Sequence, residues 1–282
     1  MTKNYKAAPL PFIGQKRLFL KDFKAMLAEI EGDGEGWTIV DVFGGSGLLA
    51  HTAKRAKPKA RVIYNDYDNY SERLANIDST NALRREIHRL LAPMPKDGSL
   101  SAEIAGQIRA AILAHQAAGG YIDIGCLNAW LCFGGDWKPL EKILNALDLW
   151  SRVAKTDYNA DGYLDGLIIE AADYRELLQK YRAEKTLFVF DPPYIKTMQG
   201  MYANSKYFDM VAFLELMDSV APPFVFSSGS RSELPAYVDY LKKSRPHEWR
   251  HKFEGAVVKH RVGRVNASAA YKDNMIENLQ AV

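Results

Sequence analysis

The stretch Thr38-Ile-Val-Asp-Val-Phe-Gly-Gly-Ser-Gly47 decides the fold class. Its β-branched half is typical of a buried strand, and its glycines permit a tight turn. A pattern of helical length, Leu48–Lys57, follows directly. A strand that passes through a glycine-rich turn into a helix builds a ligand site at the carboxyl edge of an open α/β sheet. We therefore predict a parallel sheet that binds a ligand where this first strand ends.

Further along the chain, strand and helix patterns continue to alternate. Runs rich in β-branched and aromatic residues predict strands at Arg61–Tyr64, Leu167–Glu170, Thr186–Phe190 and Phe224–Ser227. Amphipathic stretches of helical length lie at Lys16–Ile30, Asp173–Arg182 and Asp209–Val220. This alternation predicts an α/β fold with a doubly wound, mostly parallel sheet covered on both faces. Glu248–Lys259 and Met275–Leu279 predict two strands without a helix between them, and hence a C-terminal antiparallel hairpin.

The stretch from residue 70 to residue 157 breaks the alternation, because its pattern is mostly helical. An insertion of this length between consecutive strands is typical of a second subdomain. We predict a catalytic domain formed by residues 1–69 and 158–282. The helical insert, residues 70–157, is then the candidate target-recognition subdomain.

The composition is that of an ordinary globular protein, with 282 residues, 48% hydrophobic, 25% charged and a formal net charge of +3. No apolar run reaches the roughly 20 residues that cross a bilayer, and the first residues lack the layout of a secretory signal. Two cysteines, Cys126 and Cys132, supply neither a disulfide framework nor a zinc site. We expect a cytoplasmic protein with no membrane partner and no metal.

The glycine-rich turn is compatible with two ligands. Gly45-Ser-Gly-Leu-Leu-Ala50 matches the dinucleotide pattern GxGxxA, and Asp66 follows about 20 residues on, where a carboxylate can accept hydrogen bonds from ribose hydroxyls. NAD and S-adenosylmethionine both fit this description. Asp41 favours S-adenosylmethionine, because a carboxylate repels a pyrophosphate and attracts a sulfonium or an amine.

The motif Asp191-Pro-Pro-Tyr194 follows an apolar predicted strand and so falls at the same edge. Two prolines fix φ and remove two backbone donors, which leaves a rigid loop of acceptors. The N6 of adenine is a poor nucleophile, because its lone pair is delocalised into the ring. If the Asp191 carboxylate and the Pro192 carbonyl accept its two hydrogens, the nitrogen becomes more tetrahedral and can attack a methyl group in line. Tyr194 would stack on the base.

These motifs resemble those of the S-adenosylmethionine-dependent DNA adenine-N6 methyltransferases of the Dam type. The resemblance rests on Phe12-Ile-Gly-Gln-Lys16, Asp41–Gly47, Asn65-Asp66 and Asp191–Tyr194, in that order. A cofactor motif first, a catalytic motif late and an insert between them form the α arrangement of that family. The resemblance implies a Rossmann-like class I methyltransferase fold, S-adenosylmethionine as cofactor and double-stranded DNA as partner.

The resemblance also implies roles for individual residues. Those expected to bind S-adenosylmethionine are Phe12, Gly14, Lys16, Asp41, Phe43, Gly44, Gly45, Ser46, Gly47, Asp66 and Asp173. Those expected to form the catalytic pocket are Asp191, Pro192, Pro193 and Tyr194. Gln15 departs from the family, which usually has a second glycine before the lysine, and this leaves the backbone path of the segment undetermined. Ser227-Ser-Gly229 falls where relatives often place a polar pocket residue.

Contact with DNA is expected in two parts of the chain. Because N6 is confined in the major groove, we expect the target adenine to be flipped out of the duplex. Base reading is expected from the insert and phosphate contact from the basic segment Lys242–Arg264. The candidate DNA-binding residues are Asn128, Trp130, Trp137, Arg261 and Arg264. A solvated sheet edge dressed with basic residues is an alternative explanation of that segment.

Three other functions stay open at this point. A methyltransferase of RNA or of cytosine N4 would use a related loop. An NAD-dependent oxidoreductase would use the GxGxxA pattern, and a non-catalytic DNA-binding relative would keep the fold. The resemblance suits the cytoplasm of a bacterial or phage-infected bacterial cell, and it leaves a homodimer and a cognate restriction nuclease as open partners.

Overall fold

A computed structural model describes residues 3–92, 94–133, 137–195, 208–229, 232–264 and 270–280. The chain forms two compact units. The first contains Met1–Ala7, Gly14–Asp68 and Tyr163–Val282, and the second contains Ala8–Ile13 and Asn69–Gly162. The segment Ala8–Ile13 therefore groups with the second unit, whereas the sequence-based boundaries placed it in the catalytic domain.

The first unit is built on a seven-stranded sheet with the order β3-β2-β1-β4-β5-β7-β6. The strands are β1 (Thr38–Asp41), β2 (Arg61–Asn65), β3 (Leu167–Glu170), β4 (Thr186–Phe190), β5 (Phe224–Gly229), β6 (Val257–Arg264) and β7 (Ala270–Asn278). Strands β1 to β5 pair in parallel, whereas β7 is antiparallel to both β5 and β6. This is the doubly wound, mostly parallel sheet of a Rossmann-like class I methyltransferase, and the predicted fold class is confirmed.

Helices connect the strands and form most of the second unit. In chain order they are a 3₁₀ helix (Arg17–Phe19), α1 (Leu20–Leu27), α2 (Leu48–Ala56), α3 (Tyr70–Ala75), α4 (Ile77–Leu90), α5 (Ala102–Ala117), α6 (Ile124–Leu131), α7 (Leu140–Leu144), α8 (Tyr174–Tyr181), α9 (Met210–Ser219), α10 (Leu234–Ser244) and α11 (Pro246–Phe253). Helices α3 to α7 lie in the second unit. Within the described part of the chain, no helix has both the length and the apolarity needed to cross a membrane.

The central strands are buried along their whole length. Every residue of β4 and β5 is buried, which is the pattern expected of parallel strands covered by helices on both faces. On one face Phe190, Phe224 and Phe226 pack in a cluster with Leu216 of α9 and Leu241 of α10. Burying an aromatic side chain of this size stabilises the fold by roughly 2–3 kcal/mol. The sheet is thus a rigid support for the loops at its carboxyl edge.

One predicted strand is in part a helix. The stretch Glu248–Lys259 was expected to be extended, but its first half lies in α11. Pro246 begins this helix at a position where its missing N–H loses no hydrogen bond. The strand starts only at Val257, after Gly255, whose φ of +76° turns the chain in a way that suits glycine.

The N-terminal segment of the second unit is fastened to its helices by hydrogen bonds. The Leu10 N–H donates to the Tyr70 hydroxyl (2.9 Å), and the Leu10 carbonyl accepts from the same hydroxyl (3.1 Å). The Arg73 guanidinium donates to the two carboxylate oxygens of Asp123 (2.9 and 3.0 Å) and to the Pro11 carbonyl (2.9 Å). The conformation of the segment is therefore set by interactions within this unit.

Candidate active site

The turn between β1 and α2 needs glycine for steric reasons. A Cβ atom on Gly44 would lie 2.4 Å from Cδ2 of the Tyr64 ring and 2.8 Å from the Asn65 carbonyl oxygen. Gly47 has a φ of +71°, in the left-handed region that other residues rarely adopt. The Tyr64 ring therefore lies directly against the turn, and larger residues are excluded there.

Two tyrosines fix the rest of this turn. The Tyr64 hydroxyl is within hydrogen-bond distance of the Gly45 carbonyl (2.7 Å) and of Asp66 Oδ1 (2.9 Å). The Tyr163 hydroxyl donates to the Ser46 carbonyl (2.9 Å). Asp66, which follows β2, is thus brought to the glycine turn through the Tyr64 hydroxyl, and the binding of one ligand by both stays a prediction.

Asp41, at the end of β1, has an unusual environment for a carboxylate. It is 2% exposed, and its Oδ2 accepts a hydrogen bond from the Ala50 N–H (3.1 Å). Its Oδ1 is buried and has no hydrogen-bond partner among the described residues. Burial, reinforced by the nearby Asp191, raises the pKa of Asp41 to about 7, against the opposing effects of Ala50 and Lys16. The site therefore contains a buried carboxylate oxygen, Asp41 Oδ1, that has no hydrogen-bond donor among the described residues.

The loop after β4 brings together residues from two predicted motifs. The Lys16 ammonium lies 2.7 Å from Asp191 Oδ2 and donates to the Gly14 carbonyl (3.0 Å). The same ammonium is 5.9 Å from the centre of the Tyr194 ring. Gly14 and Lys16 thus lie beside the loop Asp191–Tyr194, which the resemblance implies is the catalytic loop.

Sequence reasoning missed Asp273, which lies beside the same loop. Asp273 is on β7, opposite Gly229 of β5. A Cβ atom on Gly229 would lie 3.7 Å from Asp273 Oδ1 and 3.1 Å from Cε2 of Tyr194. Asp273 lies outside the strand predicted at Met275–Leu279, and no motif marks it. Only the antiparallel register of β7 brings it to this edge.

Three carboxylates interact electrostatically with the Lys16 ammonium, and Asp191 forms an ion pair with it. Burial raises the pKa of Asp191, Asp273 raises it further, and Lys16 opposes the increase. Burial also raises the pKa of Asp273, and Lys16 again opposes it. Together with Asp41, these side chains form an electrostatically coupled cluster at the carboxyl edge.

The serines at the end of β5 do not line an open pocket. Ser227 is 0% exposed and Ser228 is 1% exposed. Ser228 Oγ accepts a hydrogen bond from the Asn274 side chain (3.5 Å). A polar pocket role at Ser227-Ser-Gly229 stays a prediction, and the missing side chain of Gly229 leaves room for the Tyr194 ring.

Two aromatic residues expected near the cofactor have other partners. Phe12 groups with the second unit, where its ring contacts Tyr70 edge-on at 5.6 Å. The Phe43 ring packs on Tyr174 (5.5 Å) and Phe208 (5.7 Å), against the hydrophobic core. Packing against these neighbours accounts for the positions of both rings. A contact of either ring with a cofactor stays a prediction.

Asp173 acts in the structure as a helix cap. Its carboxylate accepts from the Arg175 N–H (2.9 Å) at the start of α8 and pairs with the Arg175 guanidinium (3.2 Å). Its predicted role near the adenine of the cofactor is untested. In the catalytic loop, Pro192 and Pro193 are both buried, which is consistent with a rigid loop.

The insert residues proposed to read bases are mostly structural. The Trp130 side chain is 1% exposed, and its indole N–H donates to the Tyr158 hydroxyl (2.8 Å). The Asn128 amide donates to a carbonyl of its own helix (2.9 Å) and to Lys138 O (2.8 Å), and its oxygen accepts from Lys138 N–H (2.9 Å). Trp130 is therefore inside the unit, the amide atoms of Asn128 already have partners, and a DNA-contact role of either residue stays a prediction. Trp137 is half-buried and stays a candidate.

Two basic side chains of the segment Lys242–Arg264 have partners inside the protein. Lys252 is buried and donates to two carbonyls in the last turn of α9 (2.5 and 3.1 Å). Arg261 forms an ion pair with Asp22 (2.6 Å). Arg264 ends β6, and its side chain lies outside the described residues. The positive charge of the segment is therefore partly used inside the protein.

Topology separates the two ends of that segment. The Asn278 side chain donates to the Lys252 carbonyl (3.2 Å), and Asn278 is paired with Phe224, the first residue of β5. The end of α11 thus lies at the amino edge of the sheet. Arg261 lies at the carboxyl edge, because its β7 partner is opposite the last residue of β5. Only the Arg261 end of Lys242–Arg264 is near the candidate active site.

No group of His, Cys, Asp and Glu side chains within the described ranges is arranged to hold a metal ion. The carboxyl edge of the sheet carries a glycine turn with the buried carboxylates Asp41 and Asp66. Beside it lies a loop fixed by two prolines, with the carboxylate of Asp191 and the ring of Tyr194. Together with the sheet order, they define the catalytic domain of a class I methyltransferase.

Comparison with known proteins identifies the family. The chain is 45% identical over 280 residues to a protein of Haemophilus influenzae (strain KW20 / Rd) described as "Putative methyltransferase". The match covers 97% of this chain and 93% of the relative. The protein therefore belongs to a methyltransferase family.

Two other comparisons add little. No protein-family model matches the chain. Among solved structures, the precorrin-6y C5,15-methyltransferase of Geobacter metallireducens GS-15 aligns with 95% of this chain and 94% of its own, at a TM-score of 0.35 and 8% identity. A likeness at this level does not inform the choice of substrate.

Proposed function

We propose that the protein transfers a methyl group from S-adenosylmethionine to the exocyclic N6 of adenine in double-stranded DNA. The observation that carries the proposal is the contact between the Lys16 ammonium and Asp191 Oδ2, at 2.7 Å and beside the Tyr194 ring. It shows that this carboxylate accepts a hydrogen bond from a nitrogen donor next to an aromatic surface. A base amino group stacked on Tyr194 would need the same acceptor.

The residues at the end of β1 fit S-adenosylmethionine better than a dinucleotide. Asp41 Oδ1 is a buried acceptor without a donor among the described residues, which suits a cationic ligand and would repel a pyrophosphate. The Gly44–Gly47 turn would contact the methionine moiety through its backbone, and Asp66 would hold the ribose. When bound, S-adenosylmethionine supplies an electrophilic methyl group that a nitrogen lone pair can take.

On the acceptor side, Asp191 and the Pro192 carbonyl would accept the two N6 hydrogens and orient the lone pair. The new bond joins N6 to the methyl carbon as the carbon–sulfur bond breaks, and N6 then loses one proton. Asp191 is suited to receive that proton, because burial raises its pKa above the ordinary aspartate value. Since duplex DNA hides N6, the adenine would be flipped out; 2-aminopurine at the target should brighten on binding.

Transfer of tritiated methyl to unmethylated DNA, followed by nucleoside analysis, tests the proposal. We expect N6-methyladenine with the wild-type protein and a loss of at least about a thousandfold with Asp191→Ala, because its hydrogen-bond acceptor is gone. Exposed Asp239 offers a matched control, and Asp239→Ala should behave as the wild type. Methyl label on cytosine N4 or only on RNA would reassign the acceptor. No transfer to any nucleic acid would refute the proposal.

A further inference from the structure

The Lys16 ammonium occupies an acceptor that the proposed reaction needs. Lys16 is 7% exposed, and within the described ranges Asp191 is the acidic group that forms an ion pair with it. A substrate amino group that binds Asp191 competes with this ammonium. A buried ammonium that loses its counter-charge is strongly destabilising, unless another acid replaces it.

Asp273 lies where such a replacement is needed. Its Oδ1 and the Tyr194 ring both border the space over Gly229, at 3.7 and 3.1 Å from the position of a Cβ atom there. The Lys16 ammonium is on the same ring, 5.9 Å from its centre. Lys16 and Asp273 already interact electrostatically, and the flexible four-carbon stem of a lysine lets its ammonium change acceptors.

Asp41 is the other acid in the cluster, but it is less suited to receive the lysine. Its Oδ2 is held by the Ala50 N–H, and its position at the end of β1 is needed for the methyl donor. The charged groups of this cluster are Asp41 on β1, Lys16 before α1, Asp191 after β4 and Asp273 on β7. Asp273 is the member without a role in the proposed transfer.

We propose that Asp273 is a positioning residue that takes over the Lys16 ammonium when a substrate amino group binds to Asp191. The lysine would then act as a placeholder that keeps Asp191 ionised and oriented until the substrate arrives. The proposal rests on the proposed function for the nature of the arriving group, an amino group on a base. It adds a residue from the antiparallel part of the sheet to the machinery of the catalytic loop.

A first experiment needs no nucleic acid. In protein labelled with ¹³C at the aspartate carboxyl groups, NMR titration follows Asp191, whose signal is assigned with Asp191→Asn. Asp273→Asn should lower the pKa of Asp191, because it removes a neighbouring negative charge and leaves Lys16 to Asp191 alone. Asp239→Asn, which removes an exposed carboxylate elsewhere, should leave it unchanged. An unchanged Asp191 titration in Asp273→Asn would overturn the proposal.

A second experiment is a double-mutant cycle on methyl transfer. Asp273→Asn should reduce kcat/KM by about tenfold to a hundredfold, a range typical of a misplaced catalytic group. In a Lys16→Gln background there is no ammonium to relocate, so adding Asp273→Asn should change kcat/KM by less than about twofold. Asp273→Glu, which keeps the carboxylate, should recover most of the activity. An equal loss in both backgrounds would show that Asp273 acts independently of Lys16.

The two experiments separate this proposal from the proposed function. If the wild-type protein methylates no adenine in DNA, the proposed function fails, and the Asp191 titration still decides whether Asp273 is coupled to the pair. If adenine is methylated and the cycle is additive, the proposed function stands and the role of Asp273 falls. Thermal unfolding of each variant identifies a loss caused by misfolding.

Discussion

At the scale of single residues, the candidate site is built from groups that oppose the stability of the fold. Asp41 is buried, and one of its carboxylate oxygens has no hydrogen-bond partner among the described residues. Asp191 lies close enough to raise the pKa of Asp41. Buried charges of this kind are expensive, and they are commonly found where a ligand supplies the missing partner. Stability and ligand binding therefore make opposite demands on these positions.

The substitution Asp41→Asn should stabilise the ligand-free protein and abolish binding of S-adenosylhomocysteine. The pKa of Asp41 is raised from 3.8 to about 7, so its unfavourable contribution grows as the pH rises from 4 to 7 and is complete at pH 8. Asparagine keeps the acceptor for Ala50 without the charge. We expect a gain of about 1–3 kcal/mol at pH 8 and little at pH 4. Urea unfolding at both pH values, with calorimetry of ligand binding, checks this.

Gly44→Ala should damage the turn, whereas Gly106→Ala should not. The added methyl group would lie 2.4 Å from the Tyr64 ring at position 44, but meets nothing within 4 Å at position 106 in α5. We expect Gly44→Ala to cost about 2–4 kcal/mol and to weaken cofactor binding. Gly106→Ala should stabilise the protein by about 0.5–1 kcal/mol, because glycine is unfavourable inside a helix. Equal unfolding midpoints for the two variants would contradict this account.

At the scale of elements, α2 is linked to its surroundings through a neutral histidine. His51 Nε2 accepts from the Tyr5 N–H (3.1 Å), so its Nδ1, 2.7 Å from the Tyr163 carbonyl, carries the proton and donates. The ring also stacks on Tyr163 at 4.8 Å, and Tyr163 in turn holds Ser46 of the glycine turn. One imidazole thus links the N-terminal Tyr5, helix α2 and, through Tyr163, the glycine turn.

The protein should lose stability as the pH falls below about 6.5, in part because of His51. Burial, helped by nearby positive charges, lowers the pKa of His51 below its ordinary value of 6.5. The unfolded chain then binds a proton that the folded protein excludes, so stability is present above this range and lost below it. His51→Gln should reduce the difference in urea midpoint between pH 7.5 and pH 5.5. The exposed His247→Gln should leave that difference as it is in the wild type.

Elements were predictable from sequence where local pattern and tertiary structure agree. The predicted bounds of β3 and β4 match the structure, because each is a short run rich in β-branched or aromatic residues with few competing local patterns. The prediction failed at Glu248–Lys259, where aromatic and basic residues gave no clear period and Pro246 starts a helix. Strand β7 is longer than predicted, and β6 continues past its predicted end at Lys259 to Arg264, because these ends contain Arg, Gly and Ala that pair by register alone.

The site was predictable only in its local parts. Asp41, Asp66 and Asp191 each end or follow a parallel strand, and parallel strands place their carboxyl ends together. Asp273 is on an antiparallel strand, so its position depends on a register that no local pattern encodes. The contacts of Trp130 and Asn128 inside their unit were not predictable, because aromatic and amide side chains serve as core and cap residues as readily as they contact DNA.

At the scale of the whole molecule, ligand binding should be visible as global stabilisation. A ligand that binds only the folded state raises the free energy of unfolding by about 2.7 kcal/mol at a hundred times its Kd. We expect S-adenosylhomocysteine to raise Tm by several degrees and NAD to leave it unchanged. Differential scanning fluorimetry with both ligands checks this. Stabilisation by NAD alone would favour the oxidoreductase interpretation of the glycine turn.

The position of β7 has a consequence for how the protein is made. β7 is the last strand along the chain, yet it lies between β5 and β6 in the sheet. While the chain emerges from a ribosome, β5 keeps an open edge and β6 has no place to pair until residues 270–278 are released. A nascent chain released only as far as β6 therefore exposes the edge of β5, with its apolar Phe224–Phe226 half, to chaperones, and Asp273 reaches the loop after β4 only when residues 270–278 have emerged.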